Sequence, residues 1–214
     1  DTVMYIPRPD REERLAVLHD VIRENSFATI ISNGDEGMVA THLPLLLDPD
    51  RGQFGTLIGH VARENRQWRA FSEDQDSLVL FQGPHAYISP SWYAAPLAVP
   101  TWNYVAVHAY GRPRLIEDAA ALYRIVAELT RYYEAGLANA WDLEPRRDYA
   151  EKLLKNIVGF EMEISRLEGK RKLSQGRSKA DRAGVIEALS SGGDYLGTAI
   201  AGLMREQLSS EIGG

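Results

Sequence analysis

Two periods run through this chain. Over Ile157–Leu167 the apolar residues Val158, Phe160, Met162 and Ile164 interleave with Gly159, Glu161, Glu163 and Ser165, the pattern of a half-exposed antiparallel strand. Over Asp118–Ala135 apolar residues recur every third or fourth place, at Leu122, Ile125, Val126, Leu129 and Tyr133, the stripe of an amphipathic helix with Asp118 as its N-cap. Read against these two templates from the start, Met4–Pro9 is extended. Asp10 with Glu13 makes a capping box for a helix ending near Asn25. Phe27–Ser32 is a strand, Asn33-Gly34 a hairpin turn, Met38–Leu47 a strand interrupted at Pro44, Asp48–Gly52 a turn and Phe54–Val61 a strand. Ala62–Phe71 reads as a helix following that strand directly. Ser77–Phe81 and Trp102–Tyr110 are strands, and Arg146–Lys155 is helical. Glu168-Gly169 is a turn, Ser178 or Asp181 caps a helix reaching Leu189, Gly192-Gly193 breaks it, and a last helix runs over Tyr195–Leu208.

At least seven short strand candidates, mostly sequential, with helices at the ends and in one insertion, predict a mainly β chain with peripheral helices (α+β). Such a sequence of elements builds a β-barrel rather than a βαβ series. The expected organisation is a barrel domain over 1–169 containing the helical insertion, and a helical appendage over 170–214 packed on it. No internal repeat or low-complexity segment interrupts this.

The stretch between the two central strands, FQGPHAYISPSWYAAPLAVPTWNY, holds Pro84, Pro90, Pro96 and Pro100. Proline fixes φ and donates no ladder hydrogen bond, so this loop is stiff. It is also aromatic, with Tyr87, Trp92, Tyr93, Trp102 and Tyr104. Such a loop either caps its own barrel or walls a flat ligand or a second subunit.

Composition narrows the chemistry. An apolar fraction of 44% supports a real core. The absence of cysteine removes disulfides, zinc–thiolate sites, iron–sulfur clusters and thiol nucleophiles, and fits a reducing cytoplasm. No run of eighteen apolar residues exists to span a membrane. No signal-peptide pattern opens the chain, and Met4 is a candidate natural start. The net charge of −6 is uneven: residues 146–182 hold 11 Lys and Arg against 6 Asp and Glu. A basic segment in an acidic protein marks either a solvated face, an anion site or a nucleic-acid patch.

No G-x-G-x-x-G, Walker A, H-E-x-x-H or G-x-S-x-G motif occurs, and no catalytic residue declares itself. The histidines are His19, His42, His60, His85 and His108. None are paired at metal-ligand spacing, and no metal is expected. One place stands out for anion binding. Where the Phe54–Val61 strand runs into the expected helix, free backbone N–H groups and a positive dipole end suit a phosphate, and His60, Arg63 and Asn65 sit at that junction.

Long motifs carry a resemblance: ATHLPLLL (Ala40–Leu47), GHVARENRQW (Gly59–Trp68), FQGPHAYISPSWY (Phe81–Tyr93), VPTWNYVAVHAYGR (Val99–Arg112) and IVGFEMEISRLEGKRKLSQ (Ile157–Gln175). Together they closely resemble the PaiB-type family of the FMN-binding split-barrel superfamily, a family described as negative transcriptional regulators. The family pattern ends KLSQN, and Gly176 stands here in place of the Asn. The resemblance implies a six-stranded, pyridoxamine-phosphate-oxidase-like FMN-binding split barrel that forms a homodimer with two FMN sites at its interface. It implies a phosphate site at Thr41, His42, His60, Arg63 and Asn65. It implies flavin-covering residues at Trp102 and Asn103 and at Lys172, Ser174 and Gln175. Alternation along K-L-S-Q puts Lys172 and Ser174 on one side, and leaves Lys170, Arg171, Arg177 and Lys179 solvated or weakly DNA-facing. Three functions stay open: an FMN-binding transcriptional regulator, a flavin-dependent oxidoreductase or flavin reductase, and a non-catalytic flavin store. No strong helix-turn-helix appears, and the acidic balance argues against broad DNA affinity.

Overall fold

The computed structural model describes residues 4–35 and 37–210. In chain order these form β1 (Arg11–Glu12), α1 (Leu15–Glu24), β2 (Phe27–Gly34), β3 (Gly37–Pro44), β4 (Leu46–Asp48), β5 (Thr56–Ala62), β6 (Ser77–Ile88), β7 (Thr101–Gly111) and β8 (Arg114–Ile116). Then follow α2 (Ala119–Glu134), α3 (Arg147–Leu153), β9 (Ile157–Lys172), α4 (Lys179–Ser191) and α5 (Tyr195–Ser210). The strand order is β3-β2-β6-β7-β9-β5-β4, with β1 and β8 also paired to β9. Six strands are long; β1, β4 and β8 are two- or three-residue pieces. By compactness the chain divides into two units, residues 22–81 with 108–167, and residues 1–21 with 82–107 and 168–214.

In the first unit, β2 and β3 form a hairpin from Phe27↔Pro44 to Gly34↔Gly37. Asn33 and Gly34 are therefore ladder residues, not the turn. The chain reverses one step later through Asp35, and Gly37 takes φ +111°, a value open to glycine without strain. Pro44 ends β3 because it offers no N–H to a ladder; the Leu45 N–H bonds Ser26 O instead (2.9 Å). Strand β5 runs antiparallel to β9 with His60 opposite Gly159. The inward positions of β9, Val158, Phe160, Met162 and Ile164, are all buried, as the alternation predicts. Helix α2 begins where expected, with the Asp118 carboxylate accepting the Ala121 N–H (2.8 Å). Leu122, Tyr123, Leu143, Ala150 and Leu154 bury a second small core.

In the other unit, the expected capping box at Asp10 is not formed. Arg8–Asp10 makes a 3-10 turn, Arg11 and Glu12 pair with Lys170 and Gly169, and α1 starts only at Leu15. The same pairing explains why Glu168-Gly169 is no turn. The arrival of β1 gives β9 a ladder partner there, and the strand continues to Lys172. Pro84 lies inside β6 rather than in the loop. The burial alternation along β6 slips by one residue at Pro84-His85, from Ser77, Val79, Phe81 and Gly83 to Ala86 and Ile88. Such a slip is how a bulge absorbs a residue that cannot donate. The core of this unit joins Ala86, Ile88 and Tyr93 to Leu173 and to α4 and α5, through Val185, Leu189, Ile200 and Met204.

Candidate functional site

The residues singled out by sequence fall into two groups, one in each unit. The first comprises Thr41, His42, His60, Arg63 and Asn65. Thr41 and His42 are neighbours on β3, so their side chains leave opposite faces. Asn65 Nδ2 donates to Thr41 Oγ1 (3.1 Å), while His42 Nδ1 meets Thr29 Oγ1 (2.8 Å) directly across the hairpin. The helix expected over Ala62–Phe71 is a five-residue 3-10 turn, Arg66–Ala70. Asn65 is its N-cap and accepts the Gln67 N–H (2.9 Å). Asn65 caps the segment and buried Gln67 donates to the distant Ser32 Oγ on β2 (2.8 Å), which binds the segment before an α-helical turn closes. No dipole end of useful length faces solvent there.

Arg63 is also committed. Its Nε donates to Lys155 O (2.8 Å), its Nη2 to Ile157 O (3.0 Å), and Glu117 lies 3.7 Å from Nη1. These bonds tie the end of β5 to the start of β9. His60 leaves β5 on the face that α2 covers: a Cβ on its cross-strand partner Gly159 would stand 2.7 Å from Leu122 Cδ2. Its Nδ1 is buried without a hydrogen bond. Burial pushes the imidazole below its ordinary 6.5, because a charged ring there would be desolvated. His60 is thus set apart from Thr41, His42 and Asn65, with no bond linking it to them.

The second group is Trp102, Asn103, Lys172, Ser174 and Gln175. Asn103 is 0% exposed, with Nδ2 donating to Ser174 Oγ (2.9 Å) and Ser174 Oγ donating back to Oδ1 (3.2 Å). Met204 Sδ lies 3.5 Å from the same Nδ2. Ser174 takes φ +64°, rare for a residue with a Cβ. Gln175 holds that turn from behind, Oε1 accepting the Leu173 N–H (2.7 Å) and Nε2 donating to Arg171 O. The strand-like alternation read for K-L-S-Q therefore stops at Lys172, and Ser174 turns inward while Lys172 Nζ reaches Thr101 Oγ1 (2.5 Å). Thr29, Thr101 and Met204 were not legible as partners; only register and the fold of α5 reveal them.

Beside this group lies an exposed aromatic surface. Trp102 is 53% and Tyr87 46% exposed, their rings 5.9 Å apart edge to face, with the His85 ring 6.3 Å from Trp102. Leu97 and Val99, from the proline-rich loop, are 89% and 68% exposed. The earlier part of that loop does the opposite. Pro90–Trp92 forms a 3-10 turn, Ala95 N–H is accepted by Asp181 of α4 (2.9 Å), and Arg177 lies over Tyr93 at 4.3 Å. Any Cβ on Gly184 would run into the Trp92 carbonyl oxygen, so only glycine allows this approach.

The basic run is largely used up within the protein. Lys170 is buried, donating to Tyr5 O (2.9 Å) between the rings of Tyr5 and Tyr104, at 5.3 and 5.1 Å. Arg171 pairs with Glu12 (3.4 Å). Burial alone would raise the Glu12 carboxyl, but hydrogen bonds from Arg14 and the charge of Arg171 outweigh it and hold the group below its ordinary value. Only Lys179 of the four cations expected to be solvated is exposed.

Residues 4–166 match a family model described as "Putative FMN-binding domain". The chain belongs to the PaiB-type FMN-binding family. It is 38% identical to the protease synthase and sporulation protein PAI 2 of Bacillus subtilis, over 98% of this chain and 100% of that one. It is 32% identical to an uncharacterized protein of Emericella nidulans, over 95% and 97%. Among solved structures it resembles the FAD and heme binding protein of Mycobacterium smegmatis (TM-score 0.58, 14% identity, 87% of this chain and 81% of that one). It also resembles the flavocytochrome Anf3 of Azotobacter vinelandii (TM-score 0.54, 14% identity, 86% and 80%). The fold is the mainly antiparallel split barrel of flavin-binding proteins, and FMN is the cofactor of the family to which the chain belongs. The residues present fit FMN. Uncommitted aromatic faces suit a flat ring, and hydroxyl, amide and imidazole groups near the surface suit a phosphate and a sugar-like chain. Among the described residues no helix is long and apolar enough to cross a membrane, and no cluster of acids and histidines could hold a metal ion.

Proposed function

We propose that the chain works as a homodimeric, PaiB-type FMN-binding regulator of gene expression. The observation that carries the cofactor and dimer reading is the exposed ring pair of Tyr87 and Trp102, together with the exposed Leu97 and Val99 of the loop before β7. Large apolar side chains left this exposed are a mark of a binding face. Trp102 and Lys172 face the flavin ring in this reading, with Asn103, Ser174 and Gln175 fixing the strand ends that present them. Thr41, His42 and Asn65 contact the phosphate, and Arg63 and His60 support β5 behind them. In a dimer one FMN draws on residues of both copies. Bound FMN would supply electron-transfer chemistry at its ring.

Direct DNA contact through Lys170–Lys179 has little support, since Lys170, Arg171, Lys172 and Arg177 already have partners within the chain. Regulation would then pass through a partner protein or through a surface outside this segment. Cytoplasmic location is part of the same proposal. A flavin-dependent oxidoreductase is the second reading, favoured by the likeness in fold to a flavocytochrome.

The test is a visible spectrum of the purified protein, with the flavin released by denaturation and identified. FMN at one per chain, and light scattering at twice 23.9 kDa, are expected. Riboflavin binding as tightly as FMN would remove the phosphate site. Bleaching of the bound flavin by NADPH or NADH without oxygen, at a catalytic rate with an added acceptor, would favour the oxidoreductase.

A further inference from the structure

One face of β9 carries Gly159, Glu161, Glu163 and Ser165 at alternate positions. Its Gly159 end lies under Leu122 and Ile125 of α2. Its other end is open and floors a cavity of about 600 Å³. Arg51, Arg112 and Arg114 line it together with Asp76, Glu161 and Glu163, and no apolar or aromatic side chain contributes. A flavin ring finds no aromatic side chain to stack on here.

Most of these charges are already paired. Arg51 Nη2 bonds Glu161 Oε2 (2.6 Å). Arg112 bonds Asp76 Oδ1 (3.1 Å) and Glu73 O (2.7 Å). Glu163 and Arg114 form no ion pair or hydrogen bond among the described residues, though the charge of Glu163 is felt by Arg51. Glu163 is nevertheless held in place. Gly52, at φ +80°, lies so close that a Cβ there would stand 2.7 Å from Glu163 Cγ and 2.9 Å from its Oε1. The turn backbone thus packs on the carboxylate, which only a glycine in that left-handed conformation permits.

Register fixes the spacing of the two uncommitted charges. Arg114 lies across from Glu161 on one side of β9, and Thr56 across from Glu163 on the other. Arg114 and Glu163 are therefore diagonal neighbours, about 7–8 Å apart along adjacent strands. An anion alone on Arg114 would face Glu161 and Glu163. A cation alone on Glu163 would face the arginines. A ligand carrying both charges meets each with its complement and leaves no like charges opposed.

We infer that this cavity binds a small zwitterion of the α-amino-acid or dipeptide class, with its ammonium on Glu163 and its carboxylate on Arg114. Ser165 stands exposed on the same face, its hydroxyl donating to Tyr110 O (3.1 Å) and its oxygen left to accept from a polar group of the ligand, while Thr56 is buried beneath and donates to Arg51 O (2.9 Å).

The test titrates the full chain, loaded with FMN, with glycylglycine and with L-glutamine, following backbone amide chemical shifts. Saturable shifts along β8, β9 and the Arg51–Gly52 turn are expected with at least one zwitterion. Glu163→Gln and Arg114→Gln should each weaken that binding about tenfold or more, the scale of one charge-assisted contact. Acetate and methylammonium, each offering half of the charge pattern, should not saturate the same signals. The visible flavin spectrum of both variants should match the parent, which shows that they fold. The proposal is overturned by no saturation with either zwitterion, by equal affinity in parent and variants, or by acetate or methylammonium alone reproducing the shifts.

Discussion

Asn103 with Ser174 and Thr41 with Asn65 are both pairs of small polar residues, each joined by a side-chain hydrogen bond near 3 Å. They differ in what surrounds them. Asn103 has no exposed surface and its amide is enclosed by Ser174 and Met204. A polar group removed from water must keep its partners or lose the full desolvation cost. That pair therefore fixes one geometry, including the unusual φ of Ser174. Thr41 and Asn65 are half-buried and His42 is exposed, so water can replace any partner they lose. The buried pair secures the turn that carries Lys172 and Gln175, while Thr41, His42 and Asn65 can trade a partner for water.

The sharpest way to break this contrast is Asn103→Leu. It keeps the volume but strands Ser174 Oγ in a buried turn, and should cost about 2–3 kcal/mol in urea unfolding. A loss under half of that would mean the turn is held by Gln175 instead. Gly184→Ala acts on the same unit through packing. The Trp92 carbonyl must move away from α4, and about 1–3 kcal/mol is expected, with faster amide hydrogen exchange confined to residues 89–95. Asn65→Ala probes the exposed side. Loss of its cap should cost about 1 kcal/mol of stability while weakening FMN about tenfold or more. Unchanged FMN affinity, measured by flavin fluorescence, would take Asn65 out of the phosphate site.

Smaller effects concern pH and one surface position. His60 is half-buried with its Nδ1 shut away from water, and its proton affinity in the folded state lies below the ordinary 6.5. The unfolded chain then binds the proton more readily, so stability falls as pH drops through 6.5. His60→Gln should flatten that part of the stability–pH curve; an unchanged slope would place its origin in another group. Glu12 works at lower pH, where its depressed folded pKa means a contribution held above 4.5 and lost on acidification below it. Gly176→Asn, which restores the family residue, meets nothing within 4 Å. It should change stability by less than about 0.5 kcal/mol. A clear gain in FMN affinity would bring that position into the site.

Patterning gave the long elements because their cause is local. Asp118 caps α2, Ser178 caps α4 (Asp181 N–H to Oγ, 3.1 Å), and the alternation of β9 follows from one wet and one dry face. The misreadings sit where a distant strand or side chain intervened. β1 extends β9 through Glu168-Gly169, and a slip in β6 hides Pro84 within a strand. Asn65 and Gln67 turn an expected helix into a 3-10 turn. For the site, the sequence placed Thr41, His42, Asn65, Trp102, Asn103 and Lys172 in motifs but not in relation to one another. Nothing local told that Arg63 would bond the carbonyls of Lys155 and Ile157.

By itself, then, the order of residues determined the mainly β class, the helices at its margins, the absence of thiol chemistry and the family to which the chain belongs. These depend on neighbours a few positions apart or on motifs read as strings. Tertiary structure alone decided which polar groups are consumed by the fold and which are left over. All of the basic run but Lys179 finds partners within the chain, His60 ends up half-buried on the face that α2 covers, and Glu163 and Arg114 form no ion pair or hydrogen bond in an open cavity. Burial and hydrogen-bond satisfaction are properties of residues brought together from far apart in the chain, and no window of sequence contains them.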